Sequence, residues 1–283
     1  MMKKAKVGVA GLCSHIESGA ERFDVLIASA AAAIEAAGME AVAIETPVYS
    51  PLEAVEACSV LKKADVDLVA LMDVTWVCDS LKYVFVQEMK RPVLLWAVPY
   101  TETFSIGCVQ NFGSALTTAK IHYEYVYGLP SEAAVIEKVH RVATAAQIVR
   151  KFSNLRIAVL GPRQTFRVAG PQDMSIEEWE FSRTLGPTIL HLDMEVLTDA
   201  ADAITDADAV KTLSALKDRT GKTLCSESCM IRMAKLYMAA KAFVEKNGID
   251  VIAAECYPLY SGLLNQTSSW LEDDGYVVDT EGD

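Results

Sequence analysis

The chain has 283 residues, 38 acidic against 26 basic side chains, a net charge of −12 and 52% hydrophobic residues. That length suits two domains with real cores, and the apolar content excludes long disordered stretches. The acidic balance would repel a phosphate backbone, so no nucleic-acid partner is expected.

The N-terminus opens on two lysines, but its apolar run breaks at Cys13-Ser14-His15, which rejects a signal peptide. No window approaches the ~20 apolar residues that span a bilayer, so no membrane partner and a cytoplasmic protein are expected. Cysteines stand at 13, 58, 78, 108, 225, 229 and 256, an odd and scattered set. Scatter of this kind suits reduced thiols better than a disulfide framework.

The first half alternates strand and helix. Lys6–Leu12 is an apolar β-branched run, followed by an Ala-rich helix over Glu21–Ala37, with Gly38 placed to cap it. Strand Ala41–Glu45, helix Pro51–Lys63, strand Asp67–Met72, helix Ser80–Lys90 and strand Pro92–Val98 follow. Apolar strands separated by amphipathic helices imply parallel βαβ units covered on both faces. The first domain, 1–153, is therefore read as a doubly wound, flavodoxin-like sheet. Its strand ends carry Cys13–His15, Asp73–Trp76 and Pro99–Phe104, where ligands of such sheets lie. The segment 100–128 breaks the beat with Gly107, Gly113, Gln110, Asn111, Ser114 and a His122/Tyr123/Tyr125/Tyr127 cluster, and reads as a polar functional loop. A helix over Ser131–Phe152, with Ser131 as N-cap, ends the domain.

The second domain, 154–283, opens with strand Arg156–Leu160. Helix Ile176–Leu185, strand Thr188–Asp193, helix Asp206–Leu216, helix Ser226–Asn247 closed by Gly248, strand Asp250–Ala254, helix Leu259–Glu272 and strand Tyr276–Asp279 complete it. The fold class expected is α/β, with two doubly wound parallel-sheet domains.

Familiar cofactor signatures are missing. Gly8-Val9-Ala10-Gly11-Leu12-Cys13 lacks G-x-G-x-x-G, and the chain has no Walker A, G-x-S-x-G or H-E-x-x-H pattern. What remains is a set of polar and aromatic residues at strand ends. Trp76 is either a stacking platform for a sugar ring or a roof over the domain core, and Trp96, inside an apolar strand, is read as core. His191 and Asp193 share one face of a strand end, but no third metal ligand accompanies them. Cys225 and Cys229 also lack completing ligands. Glu255, Glu281 and Asp283 are carboxylates at strand ends that suit a divalent ion or proton transfer.

Several segments together carry a resemblance. Arg91–Ala97 followed by a Gly- and Ser-containing stretch, Arg156–Gly161, the Leu192–Leu197 junction (LDMEVL) and Glu255-Cys256-Tyr257-Pro258 occur in the order found in the L-fucose isomerase/L-arabinose isomerase-like family. The terminal Asp279-Thr280-Glu281-Gly282-Asp283 is similar to that family's "T-E-N-D" or "C-E-G-D" motif. The resemblance implies a metal-dependent aldose–ketose sugar isomerase. It makes Glu281 a ligand of a divalent ion, usually Mn²⁺, and a general base. Trp76 would contact sugar in a neighbouring subunit's site, and Cys256 or Tyr257 would stand where some members use a Gln against substrate. The family's early Arg has no match, since His15 and Glu17 occupy that loop.

Isomerisation through an enediol needs a divalent ion and two carboxylates. In the family the remaining ligands are an Asp further along the chain and a His in a C-terminal, β-rich domain, and these residues supply neither. The expectation is thus the N-terminal portion of such an isomerase, or one subunit of a split enzyme whose partner chain carries the C-terminal domain. A closed homo-oligomer acting on a small-molecule sugar follows from the shared site. The competing expectation is a non-catalytic sugar-binding regulator or scaffold subunit. A periplasmic-type sugar-binding protein is disfavoured by the missing export signal.

Overall fold

The computed structural model describes residues 3–161, 177–216, 219, 221, 224–254 and 263–280. The chain divides into two compact units, Met1–Arg150 and Lys151–Asp283.

In the first unit, strands β1 (Lys6–Leu12), β2 (Glu40–Ala43), β3 (Leu68–Asp73), β4 (Val93–Ala97) and β5 (Tyr123–Tyr127) form one sheet in the order β2-β1-β3-β4-β5. Every pairing is parallel. The helices are α1 (Phe23–Ala36), α2 (Pro51–Ala64), α3 (Asp79–Met89), α4 (Ser105–Thr118) and α5 (Ala133–Ser153). This is the doubly wound sheet that the apolar strands imply.

Side-chain alternation sorts the core into two layers. Val7 and Val9, Leu68, Ala70 and Met72, and Leu94 and Trp96 pack on one face with α1 and α5. Ala10 and Leu12, Val69 and Leu71, and Leu95 and Ala97 pack on the other with α2, α3 and α4. Successive residues point to opposite faces of a strand, so strands covered on both sides must be apolar throughout. Trp96 is core, as expected: it is fully buried, and its indole N–H donates to the Gly128 carbonyl at 2.9 Å. Burying each such large side chain contributes ~1.5–3 kcal/mol.

Local chemistry fixes the helix ends. Ser50 caps α2 by accepting from the Glu53 N–H, the Glu53 carboxylate accepts from Ser50 N–H in return, and Pro51 sits where no donor is needed.

The polar loop expected over 100–128 is instead helix α4 and strand β5. Gly107 and Gly113 lie inside α4 as close-packing positions: a Cβ at Gly113 would stand 2.5 Å from the Tyr123 hydroxyl. The tyrosines are the alternating face of an edge strand, with Tyr125 and Tyr127 exposed and Val126 buried between them. Helix α5 starts at Ala133, two positions beyond the expected cap at Ser131.

In the second unit, β6 (Arg156–Leu160), β7 (Thr188–Leu192), β8 (Val251–Ala254) and β9 (Val277–Asp279) form a parallel sheet in the order β7-β6-β8-β9. Around it lie α6 (Glu178–Leu185), α7 (Glu195–Asp202), α8 (Asp206–Leu216), α9 (Glu227–Asn247) and α10 (Leu263–Asp273). Helix α7, directly after β7, escaped the sequence reading because its apolar stripe is short, with only Leu197 and Ala201 buried. Ser226 caps α9, and Gly248 closes it at φ 61°, a left-handed conformation that costs glycine least. The core joins Ala158, Leu160, Ile252 and Ala254 to apolar side chains of α7, α8, α9 and α10. Trp270 is buried edge-on to Tyr237, whose hydroxyl donates to Asp274 at 2.5 Å. Asp274 also accepts from Lys241 and Arg219.

Among the described residues, no helix is long and apolar enough to cross a membrane.

Candidate functional site

In the first sheet the chain winds outward in both directions from β1 and β3, so the strand order reverses between them. Beyond the carboxyl ends of such a pair lies the crevice where doubly wound sheets bind ligands. Three loops build it here, after β1, β3 and β4.

The loop after β3 is tied down at four successive backbone donors. Val74 N–H and Thr75 N–H donate to the Leu12 carbonyl at the end of β1, Trp76 N–H donates to the Thr103 carbonyl at 2.9 Å, and Val77 N–H donates to the Cys108 sulfur at 3.3 Å. The Thr75 hydroxyl accepts from Ser14 N–H at 2.8 Å. The Ser105 hydroxyl donates to the Asp73 carbonyl at 2.5 Å and accepts from Val98 N–H at 2.9 Å, which joins the ends of β3 and β4. A loop with four successive N–H groups bonded to neighbouring elements has little freedom to rearrange.

Beneath this loop sits a buried ion pair. Lys82 of α3 and Asp73 at the end of β3 are both fully buried, with Nζ 3.1 Å from Asp73 Oδ2. Lys82 Nζ also donates to the Cys108 carbonyl at 2.9 Å and to Cys108 Sγ at 3.0 Å, and lies 4.9 Å from the Phe112 ring centre. Those bonds use all three ammonium protons. Asp79 Oδ1 stands 4.0 Å from the same nitrogen, and Asn111 donates to Asp79 Oδ2. Asp73 Oδ1 and Asp79 Oδ1 are buried with no hydrogen-bond partner.

Burial pushes the Asp73 carboxyl up to about 6, with Lys82 pulling the other way. Burial lowers Lys82, but Asp73 and Cys108 together reverse this and leave it raised. Burial, followed by the Asp73 charge, pushes the Cys108 thiol up to about 12, so it stays protonated and inert as a nucleophile.

The rim of the crevice is aromatic. His15 stacks on Tyr49 with ring centres 3.9 Å apart and planes 8° from parallel. The Arg22 guanidinium lies 4.3 Å from the Tyr100 ring centre and pairs with Glu102 at 2.5 Å, while its buried Nη1 has no hydrogen-bond partner. Phe104 holds a left-handed φ of 50° and is exposed. Trp76 is half-buried and packs against the second apolar layer, so it roofs the core while part of it stays accessible.

Of the other residues singled out in the sequence, Cys256, Tyr257 and Glu281 lie outside the described residues, as do Glu255 and Asp283. His191 is exposed and its Nε2 lies 2.6 Å from Glu178 Oε2; Asp193 is exposed beside it. Cys225 is exposed and Cys229 half-buried at the start of α9. Among the described residues, no three His, Cys, Asp or Glu side chains gather to hold a metal ion.

Sequence reading missed Lys82 and Cys108. A signal was present: Lys82 lies three and seven positions before the buried Phe85 and Met89, on the inward stripe of α3. A lysine there must be buried with a partner or reach out to solvent.

The fold and crevice define a two-unit, parallel-sheet α/β protein with an aromatic-rimmed strand-end site. No family model matches the chain. The chain is similar to curated sugar isomerases. It is 27% identical over 138 residues to a sulfoquinovose isomerase of Clostridium sp. (strain MSTE9), covering 48% of this chain and 30% of that protein. It is 20% identical over 236 residues to the sulfoquinovose isomerase of Priestia aryabhattai, covering 79% of this chain and 51% of that protein. The chain thus spans about half the length of the Priestia relative, and less of the first. A fructose-binding periplasmic domain of a hybrid two-component system matches over 93% of this chain and 77% of its own at 11% identity, with a TM-score of only 0.24.

Proposed function

We propose that this chain is the N-terminal α/β portion, or one subunit, of an aldose–ketose sugar isomerase of the L-fucose/L-arabinose isomerase-like class. The similarity to sulfoquinovose isomerases over 79% of the chain carries this reading. The crevice after β1, β3 and β4 supports it, because a half-buried indole and stacked rings suit the C–H faces of a sugar. The relatives' named sugar is the first candidate ligand, with L-fucose and L-arabinose next. The proposed protein is cytoplasmic and a closed homo-oligomer, in which Trp76 reaches sugar.

A divalent ion, Mn²⁺ first, would polarise the sugar's carbonyl and hydroxyl oxygens. The described residues do not fit it: they bring no three candidate ligands together. Glu281 is the proposed ligand and base, and Cys256 or Tyr257 the proposed sugar contact. One carboxylate holds such an ion weakly, so the remaining ligands are assigned to a C-terminal domain or a partner chain.

Calorimetric titration of the 283-residue chain with sulfoquinovose, L-fucose and L-arabinose, with and without Mn²⁺, tests the reading. Binding of one sugar, lost in Trp76→Ala while the variant stays folded, is the expected result, together with only weak metal uptake. If none of the sugars binds under either condition, the reading fails. Tight stoichiometric Mn²⁺ binding that survives Glu281→Gln would overturn the assignment of Glu281.

A further inference from the structure

We propose that Lys82 is a positioning residue: with Asp73 and Cys108 it forms a buried clamp that holds the β3–α3 loop, and therefore the Trp76 indole, in one conformation at the crevice. The relevance of that conformation to sugar rests on the function proposed above; the clamp itself does not.

The geometry is that of a staple. Asp73 is the last residue of β3 and Lys82 lies in the first turns of α3, nine positions on, so their contact closes the loop between them. Cys108 closes it a second time from α4. Its sulfur accepts from Val77 N–H and from Lys82 Nζ, and its single proton goes to the Val77 carbonyl at 3.3 Å. Only a protonated thiol can do this, since a thiolate has no proton to donate and an apolar side chain has neither function. Trp76 lies one residue before Val77, with its own N–H on Thr103. The indole thus hangs between two fixed backbone points, one held by the Lys82–Cys108 hub and one by the loop after β4.

Stability alone does not account for such a pair. Two charges removed from water cost several kcal/mol each, and a well-packed apolar pair of similar volume is often as stable or more so. Asp73 Oδ1 and Asp79 Oδ1 add to the cost, being buried without a partner. An apolar replacement would fill the space but would not specify where the loop lies. The attested use of buried polar groups is to select one arrangement among several, and the arrangement selected here is that of the loop.

The full chain labelled with 5-fluorotryptophan gives one fluorine resonance for each of Trp76, Trp96, Trp179 and Trp270, and Trp76→Phe assigns the relevant one. The informative variant is the double substitution Asp73→Asn with Lys82→Met, which removes both charges of the fully buried pair and leaves only the part-exposed Asp79, still held by Asn111. The Trp76 resonance should shift and broaden and its quenching by acrylamide should rise, while Trp270 in the second unit stays unchanged. An unmoved, equally sharp and equally protected Trp76 resonance in a folded double variant would overturn the proposal and leave the pair a packing feature. Should the double variant fail to fold, Cys108→Ala carries the same two readouts, because it frees Val77 and one Lys82 proton while keeping both charges in place. Adding sulfoquinovose to the labelled parent separates the two claims. If the clamp variants disturb Trp76 but no sugar does, the clamp stands and the sugar reading falls.

Discussion

At the scale of single residues, the dominant feature is a carboxylate held where water cannot reach it. Asp73 is fully buried, and burial outweighs the attraction of Lys82 enough to push its carboxyl from 3.8 up to about 6. An acid whose pKa is higher in the folded state keeps its proton longer there than in the unfolded chain. Between those two values the native state therefore binds more protons, and stability falls as pH rises through the window. Above it Asp73 is ionised in both states and its contribution is constant. Lys82 is charged throughout, since its net shift is upward. The groups that face Asp73 are Lys82, Cys108 and Asp79. Urea denaturation of the parent and of the Asp73→Asn, Lys82→Met variant at pH 4, 5, 6 and 7 isolates the effect, because the shared carboxylates cancel. The parent should lose stability relative to the variant from about pH 4 to 6 and hold level above that. A constant difference at every pH would show that Asp73 titrates normally.

At the scale of elements, every strand but β5 was legible, whereas helices α4 and α7 were not. β1, β3 and β4 are buried on both faces, so their residues had to be apolar without interruption, and such runs stand out in a sequence. α4 and β5 were hidden by glycines and exposed tyrosines, which elsewhere mark loops. Gly113 is a glycine for another reason: α4 passes so close to β5 that Tyr123 occupies the space of a side chain. Two effects oppose each other in Gly113→Ala. Helix propensity favours alanine by about 1 kcal/mol, whereas forcing a methyl group against the Tyr123 ring costs roughly 1–3 kcal/mol. The ring carbon Cζ would stand only 2.8 Å from the new Cβ, and Gly113 itself is buried, so the clash should win. Thermal melting should show Gly113→Ala less stable than the parent. A more stable variant would mean that Tyr123 swings aside freely on its edge strand.

At the scale of the whole molecule, two doubly wound units could be read from sequence because each repeats the same strand–helix alternation. The clamp under the β3 loop could not be read, since it joins positions 73, 82 and 108, which only the winding of the sheet brings together. The sequence reading set Glu281, Cys256 and Tyr257 on resemblance, and they stand as proposals. What the fold does determine is how damage should spread. Both apolar layers of the first sheet draw their members from Met1–Arg150, and the third cluster draws its members from Lys151–Asp283. Trp96 is a sensitive point in the first: it is fully buried at the centre of its layer and is anchored to Gly128. Trp96→Ala removes a large side chain and leaves a cavity, which costs about 3–5 kcal/mol. Amide hydrogen exchange resolved by residue should then show protection lost across β1, β3, β4 and α5, with α9 and β8 of the second unit close to their parent rates. Equal loss in both units would mean that the chain unfolds as a single cooperative body, and that the two cores are energetically one.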